Sequence, residues 1–106
     1  METIENKKYQ SLELDTVLIK KAALVLRALD HELRQQLLKY IDERGESTFT
    51  EIYVKFRIER SVASQQLAIL RQQGFVKTRR DGKKMYYSVN YESIKEAQHI
   101  FLRLIN

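Results

Sequence analysis

The chain contains no cysteine and no proline, and only three of its 106 residues are glycine. Without cysteine there is no disulfide, no thiolate metal ligand, and no cysteine nucleophile or redox sensor. The only histidines, His31 and His99, are 68 positions apart, so a histidine-rich metal centre within one chain has no material. No apolar run approaches the roughly 18 residues of a membrane-spanning helix. The first residues, Met1-Glu2-Thr3-Ile4-Glu5-Asn6-Lys7-Lys8, lack the apolar stretch of a secretory signal. These absences predict a cytoplasmic protein with no cofactor and no membrane partner. An enzyme is a poor reading, because no Ser/His/Asp grouping, paired carboxylates or glycine-rich phosphate loop stands out.

What is present points to a folded chain with a polyanionic partner. The chain is 43% apolar and 31% charged, a balance that folds rather than staying disordered. Its length is one domain's worth, so residues 1–106 read as a single unit with 1–12 as a mobile tail. The formal net charge is +5, but it is unevenly placed. Between Lys55 and Lys84 nine basic residues face only Glu59 and Asp81, giving +7 there and −2 over the rest. A local surplus of this kind is the footprint of nucleic-acid binding, although a solvated face would carry the same charges.

The element order sharpens the choice. Over residues 14–29 Leu14, Val17, Leu18, Ala22, Val25 and Leu29 fall at helical spacing. Ile19, Ala23, Leu24 and Leu26 widen that stripe beyond one packing face. Asp30 is placed to cap a second helix carrying Leu33, Leu37, Leu38, Tyr40 and Ile41 and ending at Arg44, before Gly45. Ser47 to Phe56 predicts a short helix capped by Thr48 or Thr50. A break follows at Arg57-Ile58. Arg60 to Gln73 is again helical, with Ala63, Leu67 and Leu70 on one stripe and Gly74 as its stop. Residues 48–74 therefore form a helix-turn-helix. Residues 75–89 alternate about Asp81-Gly82, a strong hairpin signal. Val76, Thr78, Met85, Tyr87 and Val89 are expected inside, and Lys77, Arg79, Lys83 and Lys84 outside. Asn90 caps a last helix over 91–105, with Ile94, Ala97, Phe101, Leu104 and Ile105 on its stripe. The fold class is mostly α with a small β-hairpin, a winged helix-turn-helix of order α-α-α-α-β-β-α.

Three stretches in this order resemble the ArsR-type (arsenical-repressor-like) winged-helix transcriptional regulators over about residues 15–105. Ala28-Leu29-Asp30-His31-Glu32-Leu33-Arg34 is similar to the family's "ALxdptR". The run from Ser61-Val62-Ala63-Ser64-Gln65-Gln66-Leu67 to Gly74-Phe75-Val76 resembles "SxxSxHLxxLrxaGlV". Arg79-Arg80-Asp81-Gly82-Lys83-Lys84-Met85-Tyr86-Tyr87-Ser88-Val89 resembles the wing "RReGrxvyYsl". Glu32 replaces a usual proline, Arg57 a glycine in the turn, Glu59 a capping serine and Gln66 a histidine. The resemblance implies a sequence-specific regulator, a repressor, acting as a homodimer on an inverted-repeat operator in double-stranded DNA. Arsenic and cadmium sensors of this type carry paired cysteines where Thr48 and Thr50 stand. Zinc sensors use the positions of Tyr91, Ser93 and Leu104. Hydroxyl and apolar groups do not replace thiolate or imidazole, so the expected protein is metal-independent.

The candidate DNA contacts are Arg60, Ser61, Ser64, Gln65 and Arg71 on the recognition helix and Arg79, Arg80, Lys83 and Lys84 on the wing. Gln bonds adenine in a bidentate way, Ser reaches bases or phosphate, and the cations reach phosphate or the minor groove. A polar helix face and a hairpin edge kept soluble by charge are the plainer alternatives. The excess apolar surface of the first and last helices must be covered. Leu14, Val17, Leu18, Ile94, Ala97, Phe101, Leu104 and Ile105 are the expected dimer contacts. A winged-helix module for protein interaction, with the basic face incidental, is the alternative function.

Overall fold

The computed structural model describes residues 15–105; the proposed tail and Leu14 lie outside them. Helix α1 (Thr16–Leu29) is followed by α2 (Glu32–Arg44), β1 (Ser47–Thr48), α3 (Phe49–Phe56), α4 (Arg60–Gln72), β2 (Val76–Asp81), β3 (Lys84–Val89) and α5 (Tyr91–Ile105). Asp15 caps α1 by accepting from the Leu18 N–H at 2.9 Å. The expected cap for α2 is not made: His31 occupies the N-cap without a side-chain bond, and the Asp30 N–H instead closes α1 on the Leu26 carbonyl.

Ser47 and Thr48 do not open the third helix as expected. They form a two-residue strand that pairs Ser47 with Tyr87 and Thr48 with Tyr86, making an antiparallel sheet of order β1-β3-β2. Thr48 then caps α3. Its hydroxyl accepts from the Glu51 N–H at 3.1 Å, and the Glu51 carboxylate accepts from the Thr48 N–H at 2.8 Å. This reciprocal capping box satisfies two otherwise orphaned donors. Those hydrogen bonds hold the Glu51 carboxyl below the ordinary value of 4.5, with the backbone bond from Thr48 the largest cause.

One core joins all layers. Leu37 and Ile41 of α2, Ile52 of α3, Leu67 and Leu70 of α4, Phe75 before the wing and Val76 and Val89 of the sheet are buried together. Val25 and Ala28 of α1 and Ala97 of α5 extend this cluster, and α1 packs on both α2 and α5. Burial of a Leu- or Phe-sized side chain contributes roughly 1.5–3 kcal/mol, so the core holds the helix-turn-helix against the wing. Among the described residues no helix is long and apolar enough to cross a membrane.

Candidate nucleic-acid interface

The turn between α3 and α4 is tight although it lacks glycine. Arg57 takes the left-handed conformation at φ 54°, with its N–H on the Val54 carbonyl and that of Ile58 on the Tyr53 carbonyl. A non-glycine residue in this region costs on the order of 1 kcal/mol. The bonds that close α3, and the burial of Ile52 and Leu67 on either side, outweigh it. The Arg60 guanidinium lies 5.6 Å from the Tyr53 ring centre, a further contact across the turn.

On α4, Ala63, Leu67 and Leu70 are buried and Ser61, Ser64 and Gln65 are exposed. The 3.6-residue period therefore separates the faces as the sequence predicts. Arg71 is exposed on the same helix, and Ser64, Ala68 and Arg71 line a concavity closed by Tyr87 of β3. Partial burial pushes the Tyr87 hydroxyl above its ordinary value of 10.0.

The wing pairs Val76 with Val89, Thr78 with Tyr87, Arg80 with Met85 and Asp81 with Lys84. The turn residues are therefore Gly82 and Lys83, not the Asp81-Gly82 pair expected. Gly82 has φ 64°, whereas Lys83 is not in the left-handed region. That combination matches a type II′ turn, which needs glycine only at its first central place. Between the wing tip and α3 lies a groove of about 640 Å³, rimmed by Arg60, Arg80, Lys83 and Lys84 and floored by Phe49, Val54 and Met85. Among the described residues, none of Arg60, Arg71, Arg80, Lys83 and Lys84 is paired with a carboxylate.

Arg79 lies on the exposed face as expected, but its guanidinium is already engaged within the chain. Its Nε donates to Glu46 Oε2 at 3.1 Å and its terminal nitrogen to Oε1 at 2.9 Å. The guanidinium also lies 4.3 Å from the Tyr86 ring centre. The bidentate bond holds the Glu46 carboxyl below 4.5. Arg79 thus braces the base of the wing against the segment preceding β1. Glu46, 33 positions away, gave no local signal of this.

The helix pair α1–α5 divides differently from the expected dimer contacts. Val17, Leu104 and Ile105 are exposed, Val17 by 74% and Ile105 by 76%. Leu18, Ile94 and Phe101 are half-buried within the same chain. Ala97, at 3% exposure, belongs to this chain's own core and is no contact surface. The apolar positions left outward include Leu24, Leu26 and Leu102, which the expected set omitted. Lys21 and Glu96 bridge the two helices at 2.7 Å.

Two of the side chains at positions that carry metal ligands in sensors of the resembled type are engaged elsewhere. The Thr48 hydroxyl caps α3. The Tyr91 hydroxyl donates to Asp42 at 2.5 Å, a bond that raises the pKa of the phenol. The Ser93 N–H lies 3.5 Å from Asn90 Oδ1 at the start of α5.

Comparison with known proteins adds to this geometry. The profile described as "Bacterial regulatory protein, arsR family" matches residues 31–78. An HTH-type transcriptional regulator of Mycobacterium tuberculosis is 37% identical over 93 residues, covering 84% of this chain and 82% of that protein. The transcriptional activator HlyU of Vibrio cholerae is 30% identical over 84 residues, 79% of this chain and 77% of its own. The biofilm growth-associated repressor of Agrobacterium fabrum is 36% identical over 67 residues, 63% of this chain and 56% of its own. Among solved structures, reduced HlyU from Vibrio cholerae superposes with TM-score 0.64 at 28% identity, covering 76% of this chain and 85% of that one. The homodimeric winged helix-turn-helix domain of Mb0332 from Mycobacterium bovis superposes with TM-score 0.70 at 24% identity, covering 87% of each chain.

Proposed function

The chain belongs to the arsR family of bacterial regulatory proteins, and from that premise we propose that it is a homodimeric, metal-independent repressor reading an inverted-repeat operator in cytoplasmic DNA. One observation carries the reading. The exposed polar face of α4, with Ser61, Ser64 and Gln65, is flanked by the cations Arg60, Arg71, Arg80, Lys83 and Lys84, none of which pairs with a carboxylate among the described residues. A helix entering the major groove offers such a face to base edges, and the cations beside it meet the phosphate backbone.

Each group has its own role. Gln65 and Ser64 read bases. Arg60, Arg71, Arg80, Lys83 and Lys84 hold phosphates or enter the minor groove. Arg79, braced by Glu46, orients the wing instead of contacting DNA. The exposed apolar surface of α1 and α5 seats a second copy; the Mb0332 domain of the same fold is itself homodimeric. A dimer of this kind sets two recognition helices about one turn of DNA apart, or a multiple of it. Repression follows from occupancy: a dimer seated on a promoter excludes polymerase.

The test is selection from a random duplex pool followed by a salt titration of the winning site. An inverted repeat bound with a steep log K against log salt dependence is expected. Enrichment of no duplex, with salt-insensitive retention of cellular proteins, would move the assignment to a protein-interaction module. Titration with Zn²⁺ is expected to leave operator affinity unchanged.

A further inference from the structure

A single buried side chain joins α1 to α4. Arg34 is only 7% exposed, and its hydrogen-bond partners among the described residues include no carboxylate. Three acceptors hold its guanidinium. Nε donates to the Ala28 carbonyl at 2.6 Å, one terminal nitrogen to the Arg27 carbonyl at 3.0 Å, and the other to Gln66 Oε1 at 2.7 Å.

The two carbonyls belong to the last turn of α1, whose terminal acceptors have no partner inside the helix. The rest of that turn is closed by other groups. Leu26 accepts from the Asp30 N–H, and Leu29 from the His31 N–H and the Gln35 amide. The partial negative charge of the helix end offsets the buried cation. Closing α1 therefore occupies two arms of Arg34. The third reaches 32 positions along the chain to the flank of α4, beside the exposed Gln65.

We propose that the Arg34–Gln66 pair is a positioning device for DNA reading. It fixes the rotation of α4 relative to α1, and so sets the separation and angle of the two recognition helices across a dimer. The proposal rests on the homodimeric operator-reading function above. The physical reason is directionality. The apolar contacts of Ala63, Leu67 and Leu70 hold α4 on the core but tolerate small rolls of the helix. A charge-assisted hydrogen bond to a planar guanidinium does not. Arg34 and Gln66 are positioning residues, since neither lies on the exposed face of α4.

Gln66→Met keeps the length of the side chain and removes the acceptor, while Arg34 retains both carbonyls. Gln66→Glu keeps an acceptor at the same reach. The wild type and both variants are put through selection on a random duplex pool. Their affinities are then measured on the wild-type winner and on copies with the half-site separation changed by one base pair. Thermal unfolding is recorded alongside.

The expected result is a sharp spacing preference for the wild type and for Gln66→Glu. Gln66→Met should lose about tenfold on the preferred spacing and less than twofold on the shifted ones, with a folded baseline intact. A purely structural role would lower the melting temperature and leave the spacing profile unchanged. That outcome, an equal loss on every duplex, or loss of the preference in Gln66→Glu overturns the proposal. Should Gln66→Met not fold, Gln66→Ser, too short to reach Arg34, takes its place with the same expectation. If the wild type enriches no duplex, the DNA-reading function falls and this inference falls with it. If the wild type is selective and Gln66→Met equally so, only this inference fails.

Discussion

The two ends of the molecule leave opposite kinds of surface uncovered. At the α4 and wing end the outward groups are mainly Ser61, Ser64, Gln65 and the cations around them, with Val54 and Val62 among them; at the α1 and α5 end they include Val17, Leu24, Leu26, Leu102, Leu104 and Ile105. Water solvates the polar groups of the first set without penalty. For the second set, covering each Å² of apolar surface is worth roughly 25 cal/mol. The difference separates what one chain completes from what it does not. The geometry of α4 and the wing is fixed by the core, the capping box at Thr48 and the Arg79–Glu46 brace, all within one chain. The helix pair is stable within the chain through Val25, Ala97 and Ile100, yet its outer surface, the proposed seat of a second copy, stays uncovered.

The largest effect should come from attacking the incomplete end. Leu102→Asp places a carboxylate in the proposed interface and touches little of the chain's own core, since Leu102 is exposed by 52%. An unpaired charge in a dry interface costs about 3 kcal/mol or more, so the variant should sediment as a folded monomer and lose operator binding. Phe101 and Leu18 are poorer targets, because both are half-buried within one chain and a charge there also tests folding. A dimer of unchanged affinity in Leu102→Asp would place the interface elsewhere.

At the complete end, Gln65→Ala should cost roughly 1–3 kcal/mol per half-site on the operator and much less on random duplex. The dimer should be unaffected. Equal losses on both DNAs would mean that α4 does not read sequence.

A smaller effect divides two adjacent wing residues. Arg80→Gln should weaken binding to all duplexes alike and make the salt slope shallower by about 2 per dimer, near 0.9 for each lost phosphate contact. Arg79→Gln should leave the slope nearly unchanged and lower wing stability, because its guanidinium is already held by Glu46. If Arg79→Gln flattens the slope as much as Arg80→Gln, the brace yields to phosphate on binding.

Most of this contrast is legible in the sequence where it depends on periodicity. The Ala63–Leu67–Leu70 stripe separates the buried from the polar face of α4, and the alternation in 75–89 finds the wing. What is not legible depends on contacts distant in sequence. Two residues are too short to show an alternating pattern, so β1 exists only because β3 pairs with it. The Arg79–Glu46 and Arg34–Gln66 bonds span more than thirty positions, and no local rule joins such residues. Arg34 was visible in the stretch resembling "ALxdptR", but its role needs the end of α1 beside it. Ala97 falls on the same stripe as the expected interface, and a stripe does not say which neighbour covers it. The Thr48-x-x-Glu51 capping box, by contrast, is a local signal that would have decided between Thr48 and Thr50.

The smallest effect compares one carboxylate from each end. Glu51 at the wing end is held below 4.5 first by the Thr48 N–H and then by the Thr48 hydroxyl, and Glu96 at the helix pair by Lys21. A carboxylate whose folded pKa is depressed contributes stability that is fully present above its unfolded value. That stability is lost as the pH falls through the lower folded value. Both groups therefore act in the same acid window, below about 4.5, and differ in what protonation breaks. At Glu51 it weakens the cap that starts α3 and anchors β1, together with an exposed ion pair to Arg44 at 3.0 Å. At Glu96 it breaks an ion pair exposed on both sides, by 61% and 56%, which water and salt screen. Glu51→Gln retains an acceptor for the Thr48 N–H but cannot titrate. It should lower stability at neutral pH by about 0.5 kcal/mol, the low end of capping effects, and flatten the loss of stability in acid. Glu96→Gln should leave the acid profile nearly as it is. Urea unfolding of both variants at neutral pH and at about one unit below the carboxylate range measures the difference. A flatter profile in Glu96→Gln than in Glu51→Gln would mean that the helix pair, and not the capped wing end, carries the acid sensitivity.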